Sequence, residues 1–137
     1  MTRIKRIGLD TSVILRLLIG EPVAQAERAL QFLSESTAAG HTPVVSDIVV
    51  CETYFALHKY YGVSKRQAID VLVQMLAEGP ITTMDGSVVL DALKASQHGS
   101  QKPGFVDRLI HAQYRSAAAG MVSFEKAAKR LSDTQVL

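Results

Sequence analysis

The chain has one cysteine, Cys51, and no tryptophan. A single thiol excludes an internal disulfide and a thiolate zinc site. The apolar neighbours of Cys51 make it a small buried side chain rather than a reactive one. No run approaches the roughly 18 apolar residues that a membrane span requires. Repeats, low-complexity tracts and domain-dividing linkers are also missing, so residues 1–137 are expected to form a single domain. A secretory leader is expected to be absent too. Arg3, Lys5 and Arg6 precede an apolar stretch, but Asp10 and Arg16 interrupt it and no small-residue cleavage site follows. The reading is of a cytoplasmic protein that makes no use of a membrane.

What is present fits a soluble globular domain: 47% hydrophobic residues, 20% charged residues and a net charge of +2. That charge is too small to argue for nucleic acid by itself. Its arrangement carries more information.

Apolar periodicity and turn residues give an alternating order of elements. IKRIGLD reads as a short strand, with Asp10 at its carboxyl end. Thr11 or Ser12 is placed to cap a helix running to about Leu18. After Gly20 and Pro22, a second helix runs to Gly40, and TPVVS forms the next strand. Two helices follow, one capped by Ser46 or Asp47 and ending at Gly62, the other from Ser64 to Gly79. PITTM is a third strand, SVVLDALKASQHG a helix, and GSQKPG the clearest loop. FVDRLIHAQYRSAAAG is helical, GMVSF is a fourth strand, EKAAKRL a short helix and QVL a small edge strand. Strands alternating with helices imply an α/β sandwich around a mainly parallel sheet.

Four carboxylates stand out against that frame. Asp10 interrupts an apolar run just past the first strand, on the edge where open α/β sheets form ligand sites. Glu52 interrupts VVCETYFAL, with Ile48, Val49, Phe55 and Ala56 as same-face neighbours. Asp107 lies in the first turn of the helix after the loop. Glu125 follows the fourth strand at the same kind of junction as Asp10. Each has a plainer explanation: Asp10 as a cap, Asp107 and Glu125 as favourable charges at helix N-termini, Glu52 as a partner for lysine. Placed in one fold, however, the four repel one another, and a divalent cation is the usual remedy. Oxygen-only ligation suits Mg²⁺ or Mn²⁺ rather than zinc. Hard cations with open water positions suit phosphodiester hydrolysis.

Asp10 in LDTSVILRLL, Glu52 in VVCETYFALHKYYG, Asp107 in GFVDRLIHAQ and Glu125 in VSFEKAAKRL have the order and spacing of PIN-domain nucleases. Over nearly the whole chain the sequence resembles the VapC-type toxins of type II toxin–antitoxin pairs. The resemblance implies a PIN-like three-layer sandwich, with a short-stranded sheet flanked by helices. It also implies a Mg²⁺-dependent endoribonuclease acting on structured RNA such as tRNA, silenced by a cognate antitoxin, with a homodimer expected. Asp10, Glu52 and Asp107 match the family's acids. Ser123 matches the hydroxyl two residues before the last acid, and Thr11 with Ser12 matches the pair after the first. In two places the chain departs from the pattern: Glu125 stands where the family usually has Asp, and Gly104 where many relatives have another Asp.

Lys102, Arg108, Lys126, Lys129 and Arg130 are the cations nearest the acidic edge on this reading, and candidates for RNA phosphates. An ordinary solvated face explains each equally well. His111, one turn after Asp107, is expected to be solvated or supporting. His41, His58 and His98 earn no role. Tyr54, Tyr60 and Tyr61 are assigned to core or interface packing ahead of base stacking.

Of two rival readings, one remains. A PIN-fold RNA- or protein-binding regulatory module without turnover takes its motive from Gly104 and Glu125. A phospho-accepting signalling domain would need paired acids after the first strand and an acceptor Asp after the middle one. The chain offers Asp10 alone, and Asp47 begins a helix, so this second rival is set aside.

Overall fold

The computed structural model describes residues 5–137. Ile4 of the first strand and Arg3 of the amino-terminal basic group lie outside the described residues. Its contacts divide the chain into two compact units, Met1–Gly86 and Ser87–Leu137.

The first unit holds β1 (Arg6–Gly8), α1 (Thr11–Ile19), α2 (Val23–Ala38), β2 (Thr42–Val45), α3 (Asp47–Tyr60), α4 (Lys65–Glu78) and β3 (Thr82–Thr83). The strands pair in the order β1-β2-β3, all parallel, with Gly8 opposite Val44 and Val44 opposite Thr82. Each parallel step needs a crossover, and a pair of helices supplies it both times. Leu9, Val44, Val45 and Ile81 are buried with Ile14 of α1 and with Val50, Tyr54 and Leu57 of α3. Ala68, Ile69, Leu72 and Leu76 of α4 complete this core, the face expected from their spacing.

The helix ends follow local chemistry. Gly20 closes α1 in the left-handed region at φ 80°, donating its N–H to the Arg16 carbonyl. Ser46 caps α3 by accepting from the Val49 N–H at 3.2 Å. Ser64 and Gln67 form a reciprocal capping box at α4. At α1 the expectation is corrected: Asp10, not Thr11 or Ser12, occupies the capping position, and its side chain makes no capping bond.

The second unit contains α5 (Val88–His98), α6 (Phe105–Ser116), β4 (Met121–Ser123), a 3₁₀ turn (Lys126–Arg130) and β5 (Thr134–Val136). Phe105 and Leu109 of α6 are buried, as are Val89, Ala92 and Leu93 of α5 and Ala128 of the 3₁₀ turn. β4 and β5 pair in parallel, with Met121 opposite Thr134. Hydrogen bonding therefore gathers the described strands into two sheets instead of one. The C-terminal segment returns beside β4 and supplies its ladder, a pairing that a three-residue strand does not announce in sequence. The mixed α/β class, with short parallel strands flanked by helices, is as expected. No helix among the described residues is long and apolar enough to cross a membrane.

Candidate active site

The stretch after β1 turns at Asp10, whose backbone is extended (φ −78°, ψ 161°) and whose carbonyl accepts from the Val13 and Ile14 N–H groups. Its carboxylate is exposed and accepts a hydrogen bond from the Ser12 hydroxyl at 3.2 Å. Beside it, the Thr11 Oγ1 is buried without a hydrogen-bond partner. An orphaned hydroxyl of this kind costs about 1–3 kcal/mol.

Glu52 lies in the second turn of α3. The helix buries Val50, Thr53, Tyr54 and Leu57, which turns Glu52 and its apolar neighbours outward. Ile48 is 71% exposed and Phe55 is 52% exposed. Glu52 does emerge from an apolar face, but that face is open to water. A helix apolar nearly all round offers two possible inner faces, and the stripe through Val50 and Leu57 is the one that docks.

In the second unit, Asp107 occupies the first turn of α6, exposed and free of hydrogen bonds or ion pairs among the described residues. The helix N-terminus favours its charge. Glu125 precedes the 3₁₀ turn and does not cap it with its side chain. Its N–H donates to the Ser123 hydroxyl at 2.9 Å, so Ser123 fixes the backbone that carries the acid.

Asp10 and Glu52 thus belong to the first unit, and Asp107 and Glu125 to the second. Among the described residues none of the four caps a helix through its side chain, and none forms an ion pair. No group of three or more Asp, Glu, His or Cys side chains is gathered to hold a metal ion among these residues. The donor chemistry nonetheless fits Mg²⁺ or Mn²⁺: four exposed carboxylates, none in an ion pair among the described residues.

A model of the PIN domain matches residues 7–133. The chain belongs to the PIN domain family. PIN domains are typically nucleases, and they generally use divalent metal ions. The match runs through both units and includes all four acids. No curated protein matches the chain.

The five candidate cations for RNA phosphates divide into two groups. Arg108 donates from Nε to the Pro103 carbonyl at 2.9 Å and from its guanidinium to the Ser100 carbonyl at 3.2 Å. Arg130 donates to the Ser100 hydroxyl and to the Lys102 carbonyl, each at 3.0 Å. Both arginines therefore clamp the loop before α6. Lys102, Lys126 and Lys129 are exposed. At the amino end, Arg6 donates to the Met84 carbonyl at 2.6 Å.

His111 pairs through Nε2 with the Ser132 carbonyl at 2.7 Å, tying α6 to the turn before β5. His58 likewise meets the Val63 carbonyl through Nδ1 at 2.9 Å. Tyr54 is buried, which pushes its hydroxyl pKa up, whereas Tyr60 and Tyr61 are exposed. Burial, then the nearby Asp47 charge, pushes the half-buried Cys51 thiol up to about 11, in keeping with an inert thiol.

One feature beside Asp10 escaped the sequence reading. Arg16, Gln25, Arg28 and Phe32 line an open groove that reaches Ser12. The signal was in the sequence: Ser12 and Arg16 are four apart, and Gln25, Arg28 and Phe32 follow at three and four. Without the α1–α2 packing, these stripes read as ordinary solvated faces.

Proposed function

We propose that this PIN domain is a Mg²⁺- or Mn²⁺-dependent endoribonuclease, the toxin of a type II toxin–antitoxin pair, acting in the cytoplasm on structured RNA such as tRNA. The observation that carries the reading is that the four acids at the family's positions have no capping or ion-pairing work among the described residues. Asp10, Glu52 and Asp107 act as metal ligands, and Glu125 as an outer ligand or water-orienting base. Thr11, Ser12 and Ser123 support them. A divalent cation held by these acids would supply a lowered pKa for the attacking water and offset charge on the phosphate. Water would add at phosphorus and lose a proton to Glu125 or solvent, while a bridging P–O bond breaks and the leaving oxygen takes up a proton from solvent. Lys102, Lys126 and Lys129, with the remaining donors of Arg108 and Arg130, hold flanking phosphates.

An active ribonuclease must be restrained by its host. Leu30, Ile48, Phe55 and Tyr60 leave apolar surface exposed on α2 and α3, and this suits an antitoxin helix with a basic side chain for the acidic site. A homodimer is proposed for the toxin as well. A second reading, an RNA- or protein-binding PIN module without turnover, draws on Gly104 and on the extra methylene of Glu125.

Expression of the chain alone and with its neighbouring gene product tests the toxin assignment. Growth arrest with RNA fragmentation, relieved by a partner that co-elutes, is the expected result. Harmless expression and no co-elution would remove that assignment.

A further inference from the structure

The groove between α1 and α2 occupies about 520 Å³ and lies wholly within the first unit. α1 contributes Ser12 and Arg16, one turn apart. α2 contributes Gln25, Arg28, Phe32 and Glu35, spaced along one face. Arg16 donates from Nε to Gln25 Oε1 at 2.6 Å, which pins its guanidinium across the two helices. Its terminal N–H groups make no hydrogen bond among the described residues. Arg28 is exposed and has neither a hydrogen bond nor an ion pair among these residues. Phe32 leaves 46% of its surface in water. Glu35 is engaged by the Gln31 amide at 2.9 Å. Two guanidiniums against one carboxylate leave the lining cationic.

Ser12 connects this groove to the candidate chemistry, because the same residue donates its hydroxyl to the Asp10 carboxylate. We propose that the groove is a nucleotide subsite for the RNA, accepting a backbone phosphate on Arg28 and Arg16 and a base on Phe32. Its place relative to the cleaved bond rests on the nuclease reading of Asp10; its binding chemistry does not. A guanidinium fork matches phosphate oxygens, and an aromatic ring takes the face of any base without reading its sequence. A nucleotide offers both partners together. An apolar helix would leave the guanidiniums of Arg16 and Arg28 without acceptors, and a purely acidic segment would leave the Phe32 ring unused.

Fluorescence anisotropy of the full chain with labelled, unfractionated tRNA in EDTA tests the subsite apart from cleavage. Arg28→Ala should weaken binding about tenfold and lower the slope of log affinity against log salt by about one. Phe32→Leu should weaken binding about five- to tenfold, with Phe32→Tyr retaining it. Circular dichroism melts establish that these surface variants fold. Wild-type affinity and salt slope in Arg28→Ala and Phe32→Leu would overturn the subsite, and so would no tRNA binding by the wild type. Loss of an acidic peptide or protein partner with tRNA affinity intact would make the groove a protein-docking site and overturn it too. Cleavage by wild type and variants alike, with equal affinities, defeats the subsite but spares the nuclease reading. Groove-dependent binding without any cleavage in Mg²⁺ spares the subsite and defeats that reading.

Discussion

The Ser12 hydroxyl donates to the Asp10 carboxylate at 3.2 Å, although Asp10 stands at the capping position of α1, where a carboxylate ordinarily accepts from the helix backbone. A side chain with a stabilising role available and not taken is free for another. Asp10→Ala should therefore change stability by less than about 0.5 kcal/mol, whereas loss of a working cap to alanine costs about 1 kcal/mol. Urea unfolding of wild type and variant checks this. A loss above 1 kcal/mol would make Asp10 a structural residue.

The two arginines that clamp the loop before α6 should matter more to folding than to charge. Arg108 reaches the Pro103 and Ser100 carbonyls, and Arg130 reaches Ser100 and Lys102. Arg108→Ala should cost about 1–2 kcal/mol and the more exposed Arg130→Ala about 1 kcal/mol. Gly99→Ala should also destabilise, because a Cβ there meets the Ala95 carbonyl and the Arg108 guanidinium at 2.8 Å each. Neutral melts of all three would show that the clamp contributes nothing.

Cys51 should resist modification in the native protein. Its thiol pKa is raised from 9.0 to about 11, first by burial and then by Asp47. The sign follows directly: burial favours the neutral thiol, so its contribution is complete below pH 9 and is lost as pH rises towards 11. Iodoacetamide at pH 8 should label the native chain far more slowly than the urea-unfolded chain. Equal rates would contradict the burial.

Metal should stabilise the folded chain. A cation at about five times its Kd adds about 1 kcal/mol, or about 3–5 °C in melting temperature. The shift with Mn²⁺ should shrink in Asp10→Asn and in Asp107→Asn. An equal shift in both variants would place the metal elsewhere.

The order of elements was legible because local chemistry sets their ends: the left-handed turn at Gly20, the Ser46 cap and the Ser64–Gln67 box act within a few residues. Partners chosen in three dimensions were not. The β4–β5 pair, the inner face of α3 and the reach of Arg130 to Ser100 and Lys102 depend on segments that meet only in the fold. Asp10 and Glu52 could be named because each breaks an apolar run, and Asp107 and Glu125 because they fall at element junctions with the order and spacing of the PIN pattern. Arg16, Arg28 and Phe32 break none, and only the packing of α1 on α2 turns them into a groove.

Cleavage of tRNA by the purified chain, with Mg²⁺ and with EDTA, bears most directly on the central claim. Asp10→Asn and Asp107→Asn, one acid from each unit, are measured beside the wild type. The wild type should cleave only when the cation is present, and each variant should lose at least about 10²-fold in rate. Cleavage that survives EDTA, or Asn variants that cut as fast as the wild type, would contradict it.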